Sequence, residues 1–208
     1  MQSHSQKGPT KVTTFVFDLG DVLFTWAPSP SLSDVPPKTL HNILRTNSWF
    51  DYERGRLSEA EAYGKVGSEF GIDASSVKKA FELARDSLKS DPAMLDTLRT
   101  LKASGYRIYA MSNISAPDWE VLRTKASREE WALFDRVFIS AAARARKPDA
   151  EFYQHVIAES GLEPAATVFV DDKSENVEAA KEAGLQGIQY KDAAGFIETL
   201  SNYITISK

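Results

Sequence analysis

The sequence predicts an α/β fold, a Rossmann-like parallel sheet interrupted by a helical insert. Short runs of β-branched and aromatic residues recur along the chain, helical periodicities lie between them, and one long helical stretch breaks the alternation after the first run. Strand alternating with helix implies parallel strands covered on both faces.

The elements follow in order. Residues 1–10 (MQSHSQKGPT) are polar and lack the apolar stretch of a secretory signal, so they are expected to be a disordered tail. Residues 12–17 (VTTFVF) stop at Asp18-Leu19-Gly20, which marks a buried strand running into a loop. Residues 27–90 open with a Pro- and Ser-rich segment and continue with helical patterns near 38–46, 58–70 and 74–89, with no convincing strand. This stretch is expected to be a helical cap inserted between two parts of the core, residues 11–26 and 91–208. Asp91-Pro92 is a helix start, with Asp as cap and Pro in the first turn, and Met94, Leu95, Leu98 and Leu101 share a face before Gly105. Further strands are expected at 106–111 (YRIYAM), 137–139, 167–170 (TVFV) and 187–190 (GIQY). A helix starts at Asp149, with Phe152, Val156 and Ile157 on one face and Gly161 at its end, and another spans 174–183 before Gly184.

Composition removes several function classes. At 208 residues, with 42% hydrophobic and 26% charged, the chain is an ordinary globular domain, or one domain with an insert. It has no cysteine, which excludes disulfides, thiolate metal sites and thiol nucleophiles. The 25 Lys and Arg against 29 Asp and Glu give a net charge of -4, no general electrostatic reason to bind nucleic acid or an anionic membrane. No run approaches the ~18 apolar residues of a membrane span. The three histidines, His4, His41 and His155, are scattered, which argues against a His-based zinc site. A cytoplasmic location without nucleic-acid or membrane partners is expected, with the oligomeric state open.

In open parallel sheets, ligands bind beyond the carboxyl ends of the strands. The residues there are Asp18 after the first strand, Ser112-Asn113 after the second, Asp171-Asp172 after a later one, and Lys147 in the loop after 137–139. Three carboxylates at one edge repel one another unless they are neutralised. A Mg²⁺ ion, with its preference for hard oxygen ligands, and Lys147 would do that. Such a site suits a small phosphorylated substrate: Ser112 and loop N–H groups donate to its oxygens, and Asp18 faces phosphorus as a nucleophile.

These residues sit in FVFDLGDVL, YAMSNIS, RARKPDAEFY and FVDDKSENVEAAKEAG, and this ordered set resembles the haloacid dehalogenase superfamily across nearly the whole chain. The resemblance implies a haloacid dehalogenase-like core with a helical cap closing over the site. It implies that Asp18 forms an aspartyl-phosphate, that Ser112 binds the transferred phosphoryl group, and that Lys147 stabilises both. It places Mg²⁺ on Asp18, Asp172 and the Gly20 carbonyl, with Asp171 and Asn176 in or next to the shell. Gly20, Asp21, Ser112, Asn113 and Lys147 then make up the substrate-binding set. Asp172 could instead cap the following helix, Asn176 could be structural, and Trp49, Phe50 and Tyr52 could be cap core rather than cavity lining.

Phosphatases of the superfamily usually carry a general acid two residues after the nucleophile, where this chain has Gly20, with Asp21 one place later. General acid catalysis is worth roughly 10²–10⁴-fold. Its loss favours a leaving group that departs as an anion, such as the phosphate of a diphosphate or a sugar 1-phosphate, unless Asp21 or the cap residue Glu53 substitutes. A closer resemblance, through FDLGDVLFTWAP, SWFDYERGRLSEAEAYGKVGSEF, YAMSNISAPDWEVLRTK and FDRVFISAAARARKPD, is to the haloacid dehalogenase-like domain of fungal drimane sesquiterpene synthases and associated terpene phosphatases. It implies a prenyl or terpenyl phosphate or diphosphate, and the absence of any DxD triplet implies dephosphorylation without cyclisation. The alternatives are a metal-independent 2-haloacid dehalogenase-type hydrolase, whose relatives lack the adjacent Asp pair, and a non-catalytic binding protein of the same fold.

Overall fold

The computed structural model of the protein describes residues 11–26 and 34–204. The expected tail at 1–10 and the opening of the insert at 27–33 lie outside the described residues. Strand β1 (Thr14–Phe17) is buried along its whole length, and a turn leads to β2 (Phe24–Thr25). Four helices follow: α1 (Pro37–Ile43), α2 (Asn47–Glu53), α3 (Glu59–Phe70) and α4 (Ala74–Asp86). The chain returns through β3 (Lys89–Ser90), antiparallel to β2. The core then runs α5 (Pro92–Ala103), β4 (Arg107–Ser112), α6 (Ala116–Leu122), α7 (Arg128–Trp131), β5 (Arg136–Ile139), α8 (Ser140–Ala143), α9 (Ala150–Ser160), β6 (Thr167–Asp171), α10 (Ser174–Glu182), β7 (Gln186–Gln189) and α11 (Ala193–Leu200).

The five long strands form one parallel sheet in the order β5-β4-β1-β6-β7. Alternation along β1 sends Phe15 and Phe17 into one core with Leu98, Ile108 and Val170, and Val16 into a second with Tyr109, Phe152 and Phe169. Helices therefore cover both faces, as the continuous apolar strands require. Asp91 caps α5, accepting from Ala93 N at 2.9 Å with Pro92 in the first turn. Among the described residues, no helix is long and apolar enough to cross a membrane.

Two features of the insert differ from the sequence expectation. The stretch expected to be free of strands contains β3, because a two-residue strand is too short to show a period of two. Residues 47–53 form a separate helix, α2, whose N-cap Thr46 accepts from Trp49 N at 3.1 Å. The helical pattern expected near 38–46 ends at Thr46, and that same Thr starts the next helix, as its hydroxyl favours.

The four helices of the insert build their own core from Leu40, Ile43, Trp49, Tyr52, Tyr63, Val66, Val77 and Phe81. The insert is latched to the sheet domain by ion pairs and backbone contacts around the end of α2. Arg54 Nη2 lies 2.5 Å from Asp149 Oδ2, Arg146 Nε 2.8 Å from Glu53 Oε2, and Arg144 Nη1 donates to Gly55 O at 2.7 Å. Asp149, at the start of α9, thus spends its carboxylate on the insert rather than on capping. Gly55 has φ +65°, and a Cβ there would come within 3.1 Å of Ala141 O, so glycine is what lets the two parts meet.

Candidate active site

Parallel register gathers the chemistry. Phe17 pairs with Ala110 of β4 and Val170 of β6, so Asp18, one residue on, lies beside Asp171 at the carboxyl edge of the sheet. Asp18 N donates to Val170 O at 2.9 Å, which fixes that alignment. Ser112 ends β4, the other neighbour of β1, and is buried. All three residues flank β1, the strand at which the chain switches from building one side of the sheet to the other.

Lys147 enters from the loop before α9 and is 1% exposed. Its Nζ sits between two carboxylates, 2.9 Å from Asp18 Oδ1 and 2.6 Å from Asp171 Oδ2. The loop is held by Asn113, whose Oδ1 accepts from Lys147 N at 2.7 Å while its Nδ2 donates to Lys147 O at 2.8 Å. Both ends of that carboxamide are thereby engaged by one residue's backbone.

Burial pushes the Asp18 carboxyl up to about 7, opposed by the Lys147 ammonium and reinforced by the charge of Asp171. Asp171 goes the other way. Burial acts to raise it, but Lys147 and hydrogen bonds from Lys173 N and Asn176 Nδ2, each at 2.9 Å, outweigh burial and hold it below the usual carboxylate range. Burial also raises Asp172, against the pull of Lys173. Lys147 remains charged because the two carboxylates outweigh its own desolvation.

Carboxylate oxygens of Asp18, Asp171 and Asp172 lie within 4.8 Å of one another. Hard oxygen donors at that spacing, with excess negative charge, fit a divalent cation such as Mg²⁺. The acids differ in what they have left to give. Both Asp171 oxygens already accept hydrogen bonds, whereas Asp18 Oδ2 and the half-buried Asp172 carboxylate accept none among the described residues. Asn176 spends its Nδ2 on Asp171 and lines the cavity. Asp172 does not cap α10, which begins after Lys173 with no side-chain cap.

A cavity of about 220 Å³ opens over these residues, with Asp18, Gly20, Asp21, Ser112 and Asn113 on the core side. The insert and neighbouring loops contribute Trp26, Leu44, Trp49, Phe81 and Leu88, and Ile114 joins them from the core. Of the aromatic residues singled out in the sequence, Trp49 lines this space. Tyr52 is buried in the insert's own core, where Tyr63 joins it, and Phe50 lies under the Arg146 guanidinium at 3.8 Å. Sequence reasoning missed Phe81 and Leu88, and also Arg85, Asp118, Arg146 and Lys173, all of which line the cavity. Arg146 and Lys173 each adjoin a motif residue, which was the available signal. Nothing local marks Arg85, which reaches across to Asp118 at 3.1 Å and to Glu59 at 2.7 Å.

A family model described as haloacid dehalogenase-like hydrolase matches residues 12–184. A sesquiterpene phosphatase of Aspergillus oryzae is 41% identical over 184 residues, covering 87% of this chain and 92% of that protein. A drimenol cyclase of Aspergillus calidoustus is also 41% identical over 86% of this chain, which spans only 34% of that longer protein. Among solved structures, a haloacid dehalogenase family enzyme of Bacteroides thetaiotaomicron superposes with a TM-score of 0.69 at 21% identity, covering 88% of this chain and 95% of that one. Another crystal structure of that enzyme, in complex with magnesium and inorganic phosphate, gives 0.67 at 22% identity over 86% and 94% of the two chains.

Proposed function

The chain belongs to the haloacid dehalogenase-like hydrolase family and is a phosphatase of it, and we propose that it is a Mg²⁺-dependent one that acts through an aspartyl-phosphate on a prenyl or terpenyl phosphate. The observation that carries this reading is the Lys147 ammonium held between Asp18 and Asp171, beside an Asp172 carboxylate that makes no ion pair among the described residues. That geometry prepares a buried carboxylate for attack and leaves room for one divalent charge.

Asp18 attacks phosphorus in line, a phosphorus–oxygen bond forms to its carboxylate, and the bond to the leaving oxygen breaks. Lys147, 2.9 Å from Asp18 Oδ1, offsets negative charge on nucleophile and phosphoryl group, and the Ser112 hydroxyl donates to a non-bridging oxygen. Water then hydrolyses the acyl phosphate, releasing inorganic phosphate and restoring the Asp18 carboxylate. Asp18, Asp172 and the Gly20 carbonyl would hold Mg²⁺, with the Asn176 carboxamide beside them, and the ion supplies electrostatic stabilisation of the transferring oxygens. Asp171 keeps Lys147 and Asn176 in place. The apolar wall of Trp26, Leu44, Trp49, Phe81 and Leu88 suits an isoprenoid leaving group, and the 41% identity to a sesquiterpene phosphatase supports that substrate class.

Phosphate release from p-nitrophenyl phosphate and from farnesyl phosphate, with Mg²⁺ and with EDTA, tests the reading. Turnover is expected with Mg²⁺ only, and Asp18→Asn abolishes it. Turnover that survives EDTA, or persists in Asp18→Asn, refutes it.

A further inference from the structure

We propose that Arg146 and Lys173 form a second phosphate subsite in the cavity, so that the preferred substrate is a terpenyl diphosphate cleaved at its phosphoanhydride bond. This rests on the phosphatase reading of the same site.

Both cations line the cavity that holds Asp18 and Ser112. Arg146 is only 9% exposed and is fixed on two sides, by Glu53 Oε2 at 2.8 Å from its Nε and by the Phe50 ring at 3.8 Å from its guanidinium carbon. Among the described residues its two Nη groups donate no hydrogen bond, so a positioned pair of donors is left for a ligand. Lys173 follows Asp172 directly and has no carboxylate within ion-pair distance among the described residues. It lines the same cavity and acts electrostatically on Asp18, Asp172 and Glu53. Hydrolysis of a monophosphate leaves these donors unused, because Lys147, Ser112 and the cation site already serve the transferred group.

Gly20 supplies an independent reason. An ordinary alkoxide needs a proton to depart, and the position that normally provides it carries no side chain. A terpenyl monophosphate leaves as a stable anion, since its second pKa is about 6. In the proposed step Asp18 attacks the terminal phosphorus, and the electron pair of the bond to the bridging oxygen leaves with that oxygen on the terpenyl monophosphate. Arg146 and Lys173 neutralise this departing anion. Water then converts the aspartyl-phosphate to inorganic phosphate, so one diphosphate and one water give one monophosphate and one phosphate.

The experiment compares kcat/KM for farnesyl diphosphate and farnesyl monophosphate with Mg²⁺, quantifying farnesyl monophosphate and inorganic phosphate separately. The wild-type ratio is expected to exceed ~10², the lower bound of the missing acid's contribution. Lys173→Met lowers that ratio about tenfold or more, the worth of one charge-assisted contact. Arg146→Gln, made together with Glu53→Gln so that no carboxylate is stranded, does the same, and thermal melts verify that both variants fold. A wild-type ratio near one, or a ratio unchanged in both folded variants, overturns the subsite. If p-nitrophenyl phosphate is still hydrolysed with Mg²⁺ in that case, the subsite alone falls. No phosphate release from any of the three compounds overturns the phosphatase reading together with it.

Discussion

Replacing Lys147 by Met removes the cation that the fold places between Asp18 and Asp171. Lys147 is 1% exposed, Asp171 is 0%, and the ion-pair distances are 2.9 and 2.6 Å. Removing one member of such a buried set strands like charges in a desolvated site and costs about 3–5 kcal/mol. For a domain of this size, 1 kcal/mol moves Tm by about 2–4 °C, so Lys147→Met in EDTA at pH 8 is expected to melt about 6–20 °C below the wild type. Two changes of condition should close the gap. Mg²⁺ brings back positive charge at the carboxylates. Lowering the pH from 8 to 5 protonates Asp18, whose carboxyl burial already pushes up to about 7. Thermal unfolding followed by circular dichroism at both pH values, with EDTA and with Mg²⁺, measures all four terms. A variant that melts within 2 °C of the wild type in EDTA at pH 8 refutes the claim that Lys147 balances the site.

Asp18→Asn probes the same charge from the other side. A carboxyl raised from 3.8 to about 7 on folding contributes stability that is full below about pH 4 and is lost as pH rises through 7. Metal-free wild type should therefore lose up to about 1.4 kcal/mol per pH unit across that window relative to Asp18→Asn; superimposable stability–pH curves would contradict it. Gly20→Asp should introduce the missing acid, because a Cβ at Gly20 meets no atom within 4 Å. The variant is expected to hydrolyse a simple alkyl phosphate ~10²–10⁴-fold faster, with little change for p-nitrophenyl phosphate, and an unchanged alkyl rate counts against the leaving-group argument. Asn113→Ala removes both hydrogen bonds to the Lys147 backbone and should lower kcat about 10²-fold with KM nearly constant; a rise in KM alone would make Asn113 a substrate-binding group instead. Leu88→Asn places a polar group in the apolar wall and should raise KM about tenfold for farnesyl substrates but not for p-nitrophenyl phosphate, and equal effects on both would argue against an isoprenoid site.

Much of the fold was legible because its signals are local. The apolar runs around Phe15 and Ile108 are long enough to mark strands, and Asp91-Pro92 and Gly161 mark helix ends through chemistry confined to one turn. β3 and α8 were not visible, since elements of two and four residues carry no period. The candidate site was legible to the same depth. Asp18 follows a buried strand and Ser112 and Asp171 each end one, so parallel register alone brings them to one edge.

The sequence by itself therefore determined which side chains stand at the carboxyl edge, because strand identity and strand ends are written in neighbouring residues. Only the tertiary structure decided how they are used. It turned Asp171 wholly toward Lys147, Lys173 and Asn176, and closed both ends of Asn113 on one backbone. It also brought Glu53 and Phe50 of the insert against Arg146, which lines the cavity. Those partners lie 93 positions apart in the Glu53–Arg146 case, and what joins them is the seating of the helical insert on the sheet, which depends on shape and charge across the whole interface rather than on any stretch of chain.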